Sequence, residues 1–192
     1  MQNLVTRRSL TLLGALAAAA LCVPTLANTP PAGSRAKLST IFHNVSGTVE
    51  ILNSSKITIR NFYFDGGGVD VRLVVAANDN DALFASSGRY VGPQLLGSVF
   101  NGESLDIDLL PGESLNDINA ISVWCIPFQA NFGSATFFCG SDFDQDGFVT
   151  GDDFDAYVDA FEIGDISADF IEDGFVTGDD FDAFVQAFER GC

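Results

Sequence analysis

Oxygen-bearing side chains recur at alternate positions near the C-terminus, in a spacing typical of loops that bind calcium. A hard cation of this kind takes about six to eight oxygen ligands, and alternate loop positions turn their side chains inward around it. In the segment 142–153, Gly147 at position 6 permits the sharp turn that such a loop needs. The predicted ligands at positions 1, 3, 5, 7, 9 and 12 are Asp142, Asp144, Asp146, the Phe148 carbonyl, Thr150 and Asp153.

A second segment, 169–180, repeats this pattern with one defect, because Ile171 stands where the position-3 oxygen belongs. Position 12 is aspartate in both segments, one methylene shorter than the glutamate that grips calcium with two oxygens in the EF-hand pattern. We expect firm calcium binding at 142–153 and weaker or more hydrated binding at 169–180; the alternative is a pair of solvated acidic turns. The predicted ligands of the second segment are Asp169, Asp173, the Phe175 carbonyl, Thr177 and Asp180.

An amphipathic helix is predicted after each loop. Residues 146–162 and 173–189 are identical at 15 of 17 positions, so loop and helix form an internal repeat. Apolar residues recur at i, i+3, i+4 and i+7, which predicts two antiparallel helices that bury their stripes against each other. A unit of about 50 residues has a small core and usually needs a metal or a disulfide. The stripes are Phe154, Tyr157, Val158 and Phe161, and then Phe181, Phe184, Val185 and Phe188.

The duplicated loop and helix, with DGFVTGDD in each copy and Gly191-Cys192 at the end, resembles the dockerin-type repeat of secreted bacterial proteins. The resemblance covers 141–192 and implies a small all-α, EF-hand-like module with two calcium loops. It also implies docking of the helix faces to a cohesin-like partner protein. The missing oxygen at Ile171 departs from the family pattern and weakens only the second calcium site.

Negative charge is concentrated in the same part of the chain. Residues 141–192 hold 16 acidic residues and one arginine, which accounts for −15 of the net charge of −17. Acids that alternate with apolar stripe residues favour cation binding over a disordered acidic tail. The scarcity of Lys and Arg disfavours nucleic acid and anionic membranes as partners.

The N-terminus is typical of an export signal. Arg7 and Arg8 precede the apolar run 10–21, and a small-x-small cleavage site ends at Ala27, so we expect a signal peptide over 1–27. The two arginines fit either a twin-arginine signal or a general secretory signal. No later apolar run has the length of a membrane span, which is about 20 residues. We therefore expect a secreted, extracellular or cell-surface protein with a short disordered lead-in over 28–37.

An exported chain reaches a compartment where disulfides persist. Removal of the signal removes Cys22 and leaves three cysteines, an odd number. Cys139 and Cys192 bracket the repeat, so a Cys139–Cys192 bridge would staple the module 139–192. The competing prediction is a Cys125–Cys139 bridge between neighbouring strands, which would leave Cys192 free.

The segment 38–138 reads as a small β-sandwich, so the fold class is mainly β followed by the helical module. Val49 and Ile51 alternate with polar residues, as do Ile57 and Ile59, and the turn at 53–55 between them predicts a hairpin. Further strands are indicated at sandwich-like spacing, and no long helical stripe occurs before residue 150. These strands are indicated around 69–75, 105–109, 121–128 and 135–138.

Few residues of the β region could perform catalysis. His43 is the only histidine and has no nucleophile near it in sequence, so a structural role is expected. Asp106 and Asp108 fit the outer face of a strand rather than a hydrolase pair. No catalytic residue is predicted, and Cys125 remains as a candidate redox thiol.

A second resemblance covers residues 40–138. The stretches FHNVSGTV at 42–49, IRNFYFDG at 59–66, VDV at 69–71 and ISVWC at 121–125 resemble the DM-thirteen domain of Skeletor-type proteins, which also occurs beside DOMON domains. The resemblance implies a β-sandwich with one characteristic cysteine, which maps to Cys125. A redox or electron-transfer role has been proposed for that cysteine.

Two functions follow from these patterns. The first is a binding module with an unknown ligand, tethered through the calcium unit. The second is an extracellular redox protein that uses Cys125. A thiol is reactive when it is partly exposed and near positive charge, and no Lys, Arg or Cys-x-x-Cys partner adjoins Cys125, so a buried structural thiol competes with the second function. A glycan-degrading enzyme is a third, weaker hypothesis.

Overall fold

The computed structural model describes residues 29–95 and 97–191. The predicted signal peptide, 1–27, and Cys192 lie outside these residues. The described elements are β1 (Ser34–Leu38), β2 (Ser46–Asn53), β3 (Lys56–Phe64), β4 (Val71–Ala76), α1 (Asp81–Ser87), β5 (Arg89–Val91), β6 (Phe100–Asp108), β7 (Ala120–Cys125), β8 (Ala130–Thr136), β9 (Phe138–Cys139), α2 (Gly151–Glu162), a 3-10 turn (Ile166–Ala168) and α3 (Gly178–Arg190).

The strands form two antiparallel sheets that share one core. The first sheet has the order β6-β3-β2-β1-β9 and the second has the order β5-β4-β7-β8. Alternate residues of each strand point between the sheets, as the period of a strand requires. Val49 and Ile51 of the first sheet and Leu73 and Val123 of the second belong to the same buried cluster. The prediction of a mainly β fold is confirmed.

The predicted hairpin is present between β2 and β3. Ile51 faces Ile57 and Val49 faces Ile59 across the two strands. The side chain of Asn53 accepts a hydrogen bond from the backbone N–H of Ser55 at 2.9 Å, which closes the turn locally. Because both the alternation and the turn chemistry lie in neighbouring residues, this hairpin is visible in the sequence alone.

Two elements of the β region escaped the sequence prediction. Part of the expected disordered lead-in, 28–37, is strand β1, which pairs with β2 and β9 inside the five-stranded sheet. Its inward residues are only Ala36 and Leu38, too short an alternation to recognise beside a Pro- and Gly-rich stretch. Helix α1 has two turns, is capped by Asn80, and packs Phe84 on Trp124 outside the second sheet. Two turns do not produce a readable helical stripe.

The two predicted C-terminal helices are present as α2 and α3, and the aromatic residues of their stripes pack against each other, whereas Val158 and Val185 are half-buried outside that cluster. The rings of Tyr157 and Phe184 stack at 3.8 Å in the middle of the contact. Phe154 near the start of α2 contacts Phe188 near the end of α3. Phe161 near the end of α2 contacts Phe181 near the start of α3. The helices therefore run antiparallel. No helix among the described residues has the length and hydropathy needed to cross a bilayer.

Candidate functional site

Three carboxylates of the first loop lie together. One oxygen from each of Asp142, Asp144 and Asp146 falls within 4.8 Å of the other two. The turn geometry holds them there, since the N–H of Asp146 donates to Asp144 at 3.0 Å and the N–H of Phe148 donates to Asp146 at 2.8 Å. Asp144 and Asp146 are exposed, so a hydrated ion has access to the group from solvent.

Asp142 carries the least satisfied polar atom of this group. The residue is 6% exposed, and its Oδ2 accepts a hydrogen bond from the N–H of Gly147 at 3.0 Å. Its Oδ1 is the one buried side-chain nitrogen or oxygen in the described ranges that has no hydrogen-bond partner. A buried charged oxygen without a partner costs about 1–3 kcal/mol or more, and a bound cation would remove that cost.

The carboxylates also repel one another. The N–H of Asp146 lowers the pKa of Asp144, but burial and repulsion from Asp146, Asp153 and Asp142 outweigh it, so this pKa is raised. Crowded anions that hinder each other's ionisation favour a divalent cation between them. The donors are all hard oxygens, which is the ligand chemistry of Ca²⁺. The residues present therefore fit a calcium ion.

Asp153 and Thr150 connect the loop to helix α2. Thr150 caps the helix, and Asp153 accepts hydrogen bonds from the N–H groups of Thr150 at 2.8 Å and Asp144 at 3.2 Å. Burial raises the pKa of Asp153, but these hydrogen bonds outweigh burial and the pKa is lowered. Two carboxylate oxygens offer about four lone-pair sites, so Asp153 can hold both ends of the loop and still bind a cation at position 12.

The second loop has similar turns, and none of the buried carboxylate oxygens among its described atoms lacks a hydrogen-bond partner. Asp169 accepts N–H groups on both oxygens, from Asp173 at 3.0 Å and from Gly174 at 2.8 Å. Asp180 accepts from the N–H groups of Ile171 at 3.0 Å and Thr177 at 2.8 Å. The structure therefore brings Asp142, Asp144 and Asp146 of the first loop together, and among the described residues Asp169, Asp173 and Asp180 of the second loop do not form such a cluster. Only the first loop has a buried carboxylate oxygen without a hydrogen-bond partner in the described ranges.

The loop residues predicted to bind through their carbonyls present their side chains to solvent. Phe148 and Phe175 occupy position 7 of the two loops, and each side chain is 70% exposed. In a calcium loop position 7 contributes only its backbone oxygen, so the side chain is free to face outward.

Cys125 is fully buried at the end of β7. It lies between Val71 of β4 and Ala130 of β8, and it belongs to the core between the sheets. Strand alternation predicts that it shares a face with Val123, and both residues are in that core while Trp124 points to the other side. Cys125 is the free cysteine of the described residues.

The two disulfide predictions have different outcomes. Cys139 is disulfide-bonded, and because Cys125 is free, the Cys125–Cys139 alternative is wrong. The physical reason is that Cys125 points into the core between the sheets, whereas Cys139 lies in β9 at the edge of the other sheet. The preferred pairing, Cys139–Cys192, involves a residue outside the described ranges and stays a prediction.

The residues considered for catalysis are held in structural contacts. Nδ1 of His43 lies 2.9 Å from Asp65, and its ring packs on Phe132 with centroids 4.3 Å apart. Asp106 forms an ion pair with Lys56 at 3.0 Å on the exposed face of the first sheet. Neither arrangement places a nucleophile beside a base.

Sequence reasoning missed the residues that join the two units. Nη1 of Arg35 in β1 donates to the carbonyl of Phe170 at 2.7 Å, and the guanidinium lies 3.9 Å from the Phe170 ring centre. Nδ2 of Asn61 in β3 donates to the carbonyl of Glu172 at 2.8 Å. A lone Arg and a lone Asn more than a hundred residues from their partners carry no signal in a single sequence.

Comparison with known proteins assigns the β region. The profile of a family described as electron transfer DM13 matches residues 37–137, which is more than half of the chain. Two curated relatives are Protein Skeletor, isoforms B/C, and Protein Skeletor, isoforms D/E, both from Drosophila melanogaster. Each is 29% identical over 102 residues, or 52% of this chain. That stretch spans only 13% and 7% of the two relatives. No solved structure matches the chain.

Proposed function

Because the chain belongs to the DM13 family through residues 37–137, we propose that it is an exported protein that holds a DM13 domain in place through a calcium-ordered C-terminal unit. The DM13 domain supplies a binding surface for a ligand not yet identified. The C-terminal unit, residues 139–192, is a dockerin-like module that attaches it to a partner protein.

The unpartnered Oδ1 of Asp142 is the observation that supports calcium binding most directly. Folding buries this charged oxygen although nothing in the described chain compensates it, and two further carboxylates lie within reach of the same point. A stable fold rarely leaves such an atom alone. A calcium ion held by Asp142, Asp144, Asp146, Thr150, Asp153 and the Phe148 carbonyl would satisfy it and neutralise the repulsion.

Attachment to a partner is supported by what the helices leave exposed. The aromatic residues of their stripes pack in the contact between α2 and α3, and the exposed positions of both helices are mostly acidic. A cohesin-like partner would therefore need a basic or hydrogen-bonding face, and its association would weaken at high salt. The outward acids include Asp152, Asp155, Asp159, Asp182 and Glu189.

Export is supported by the disulfide at Cys139, because disulfides persist mainly in oxidising compartments. The predicted signal over 1–27 is the route by which the chain would reach such a compartment. A secreted or cell-surface location follows if that signal is functional.

Electron transfer is the second candidate, favoured by the description of the family and by the free thiol of Cys125. Its weakness is geometry, since Cys125 is fully buried and reactive thiols are partly exposed. A redox role would require the sheets to open or a partner to reach the thiol through the core. The binding role makes no such demand and is the one that we prefer.

Titration with calcium tests the proposal. Metal-free protein with residues 28–192 should bind calcium in isothermal calorimetry and melt at a higher temperature with calcium than with chelator. A panel of purified cohesin-type domains then tests docking, with and without calcium. Identical melting in calcium and chelator would eliminate the calcium-ordered unit, and calcium binding with no cohesin-type partner would eliminate the docking part alone.

A further inference from the structure

The second loop contacts the DM13 domain at positions 2 and 4 of the loop. Arg35 of β1 is 9% exposed and donates to the carbonyl of Phe170 while its guanidinium lies on the Phe170 ring. Phe170 is itself 7% exposed, and Arg35 and Phe170 also line a cleft of about 280 Å³ that water can enter, so the contact is shielded from solvent on one side. A stacked guanidinium that also forms a hydrogen bond in such a place is a strong and directional contact.

Asn61 of β3 makes the second contact, to the carbonyl of Glu172. Both residues have left-handed backbone angles, with φ of 47° at Asn61 and 57° at Glu172. Asn61 lies at an irregularity of β3, and Gln145 at the equivalent position of the first loop has a similar φ of 61°, so this backbone shape is common to both loops. What distinguishes the second loop is the hydrogen bond from the Asn61 side chain. Burial lowers the pKa of Arg35, and the carboxylates of Glu50 and then Glu172 oppose that lowering.

These contacts compensate for the oxygen that is missing from the second loop. In a calcium loop the ion pulls the chain around itself through the side chains at positions 1, 3 and 5. Here position 3 is Ile171. The turn has the same internal hydrogen bonds to Asp169 and Asp180 that the first loop makes to Asp142 and Asp153. What the second loop has in addition is the external support of Arg35 and Asn61.

We infer that the second loop, 169–180, is a metal-independent latch that fixes the C-terminal unit on the five-stranded sheet of the DM13 domain, with Arg35 and Asn61 as its receptor. The inference extends the proposed function but does not need calcium at the first loop. It has one consequence for docking: two nearly identical repeats would offer a partner two equivalent faces, and the latch covers part of one of them. A partner protein would then approach from the first loop.

Hydrogen exchange measured in chelator tests the latch. The amides of Ile171 and Gly174 donate to Asp180 and Asp169, and they should exchange about tenfold faster or more when either receptor contact is removed. The matched amides of Asp144 and Gly147 in the first loop are the internal control and should not change.

Two substitutions remove the contacts with little harm to the sheet. Arg35→Lys keeps a cation beside Glu50 but loses the planar group that stacks on Phe170. Asn61→Gly removes the side-chain amide and tolerates the positive φ of this position. If Arg35→Lys also accelerates exchange in β2 and β3, the sheet itself is damaged and Asn61→Gly decides the result. Unchanged exchange of the second-loop amides in Asn61→Gly and in a folded Arg35→Lys would overturn the latch.

Calcium stoichiometry gives an independent test. Wild-type protein should bind one calcium ion, and Ile171→Asp, which restores the position-3 oxygen, should gain a second. Two ions in the wild type, with one lost in Asp169→Asn, would overturn the metal-independent reading of this loop. If the protein binds no calcium at all, the proposed calcium function is wrong, and the hydrogen-exchange experiment alone then tests the latch.

Discussion

Replacement of Asp142 by Asn separates a metal ligand from a structural carboxylate. Asn keeps the shape of the side chain, and its oxygen can still accept the N–H of Gly147. The change removes the buried, unpartnered charge and part of the repulsion with Asp144 and Asp146. Without calcium we therefore expect Asp142→Asn to be as stable as the wild type, or more stable by up to about 1–3 kcal/mol.

Calcium should reverse this order. An ion present at a hundred times its dissociation constant stabilises the folded wild type by about 2.7 kcal/mol. If the C-terminal unit, 139–192, unfolds as one cooperative unit, that free energy raises its melting temperature by about 10–20 °C, at about 4–8 °C per kcal/mol for a small domain. Asp142→Asn should lose most of the rise, because the ligand at position 1 becomes a weaker neutral donor. We therefore expect Asp142→Asn to melt at the same temperature as the wild type, or at a higher one, in chelator, and at a lower temperature than the wild type in calcium.

Asp169→Asn is the matched control in the other repeat. It replaces one of two carboxylate oxygens that already accept N–H groups, so it should cost about 1 kcal/mol with and without calcium. Scanning calorimetry and calcium titration of the three proteins give the comparison. Asp142 is a structural residue and not a calcium ligand if Asp142→Asn keeps the full calcium-induced rise in melting temperature. The same conclusion follows if the substitution lowers the stability as much in chelator as in calcium.

Three further predictions follow from buried groups. Cys125 should react with iodoacetamide only after unfolding, because it is fully buried; rapid labelling of the native protein, detected by peptide mass analysis, would revive the redox candidate. Tyr157→Phe should cost about 0.5–1.5 kcal/mol in denaturant unfolding, because the hydroxyl that donates to the carbonyl of Ala168 at 3.1 Å is lost; an unchanged midpoint would show that this bond contributes nothing. Burial raises the pKa of Asp180, but hydrogen bonds from Ile171 and Thr177 outweigh burial, so the pKa is lowered. In chelator, the stability that Asp180 contributes should therefore be complete above its unfolded pKa of about 3.9 and be lost as the pH falls through the folded pKa. A stability of the second repeat that starts to fall already near pH 6 would contradict this assignment.

The C-terminal helices and loops were predictable because their information is local. Phe154 and Phe161 lie on one stripe by their spacing alone, and the loop aspartates follow directly from the turn pattern. The same holds for the hairpin closed by Asn53. Strand β1 was missed because its place in the sheet depends on β2 and β9, and β9 is about a hundred residues away.

The candidate calcium site divides in the same way. The sequence by itself determined which oxygens could surround an ion, because alternate positions of a tight turn converge whatever the rest of the chain does. It also determined that the second loop lacks one of them, at Ile171.

Only the tertiary structure decided that the first loop has a buried oxygen without a partner, whereas the second loop is held by contacts from the sheet. The burial of Asp142 with one oxygen unpartnered depends on packing around the first loop, and the grip of Arg35 and Asn61 on the second depends on a sheet built from distant strands. The burial of the Cys125 thiol was also decided by the tertiary structure, because the thiol becomes inaccessible only when the two sheets pack on each other. Burial and long-range pairing are properties of the folded surface, and no local pattern of residues encodes them.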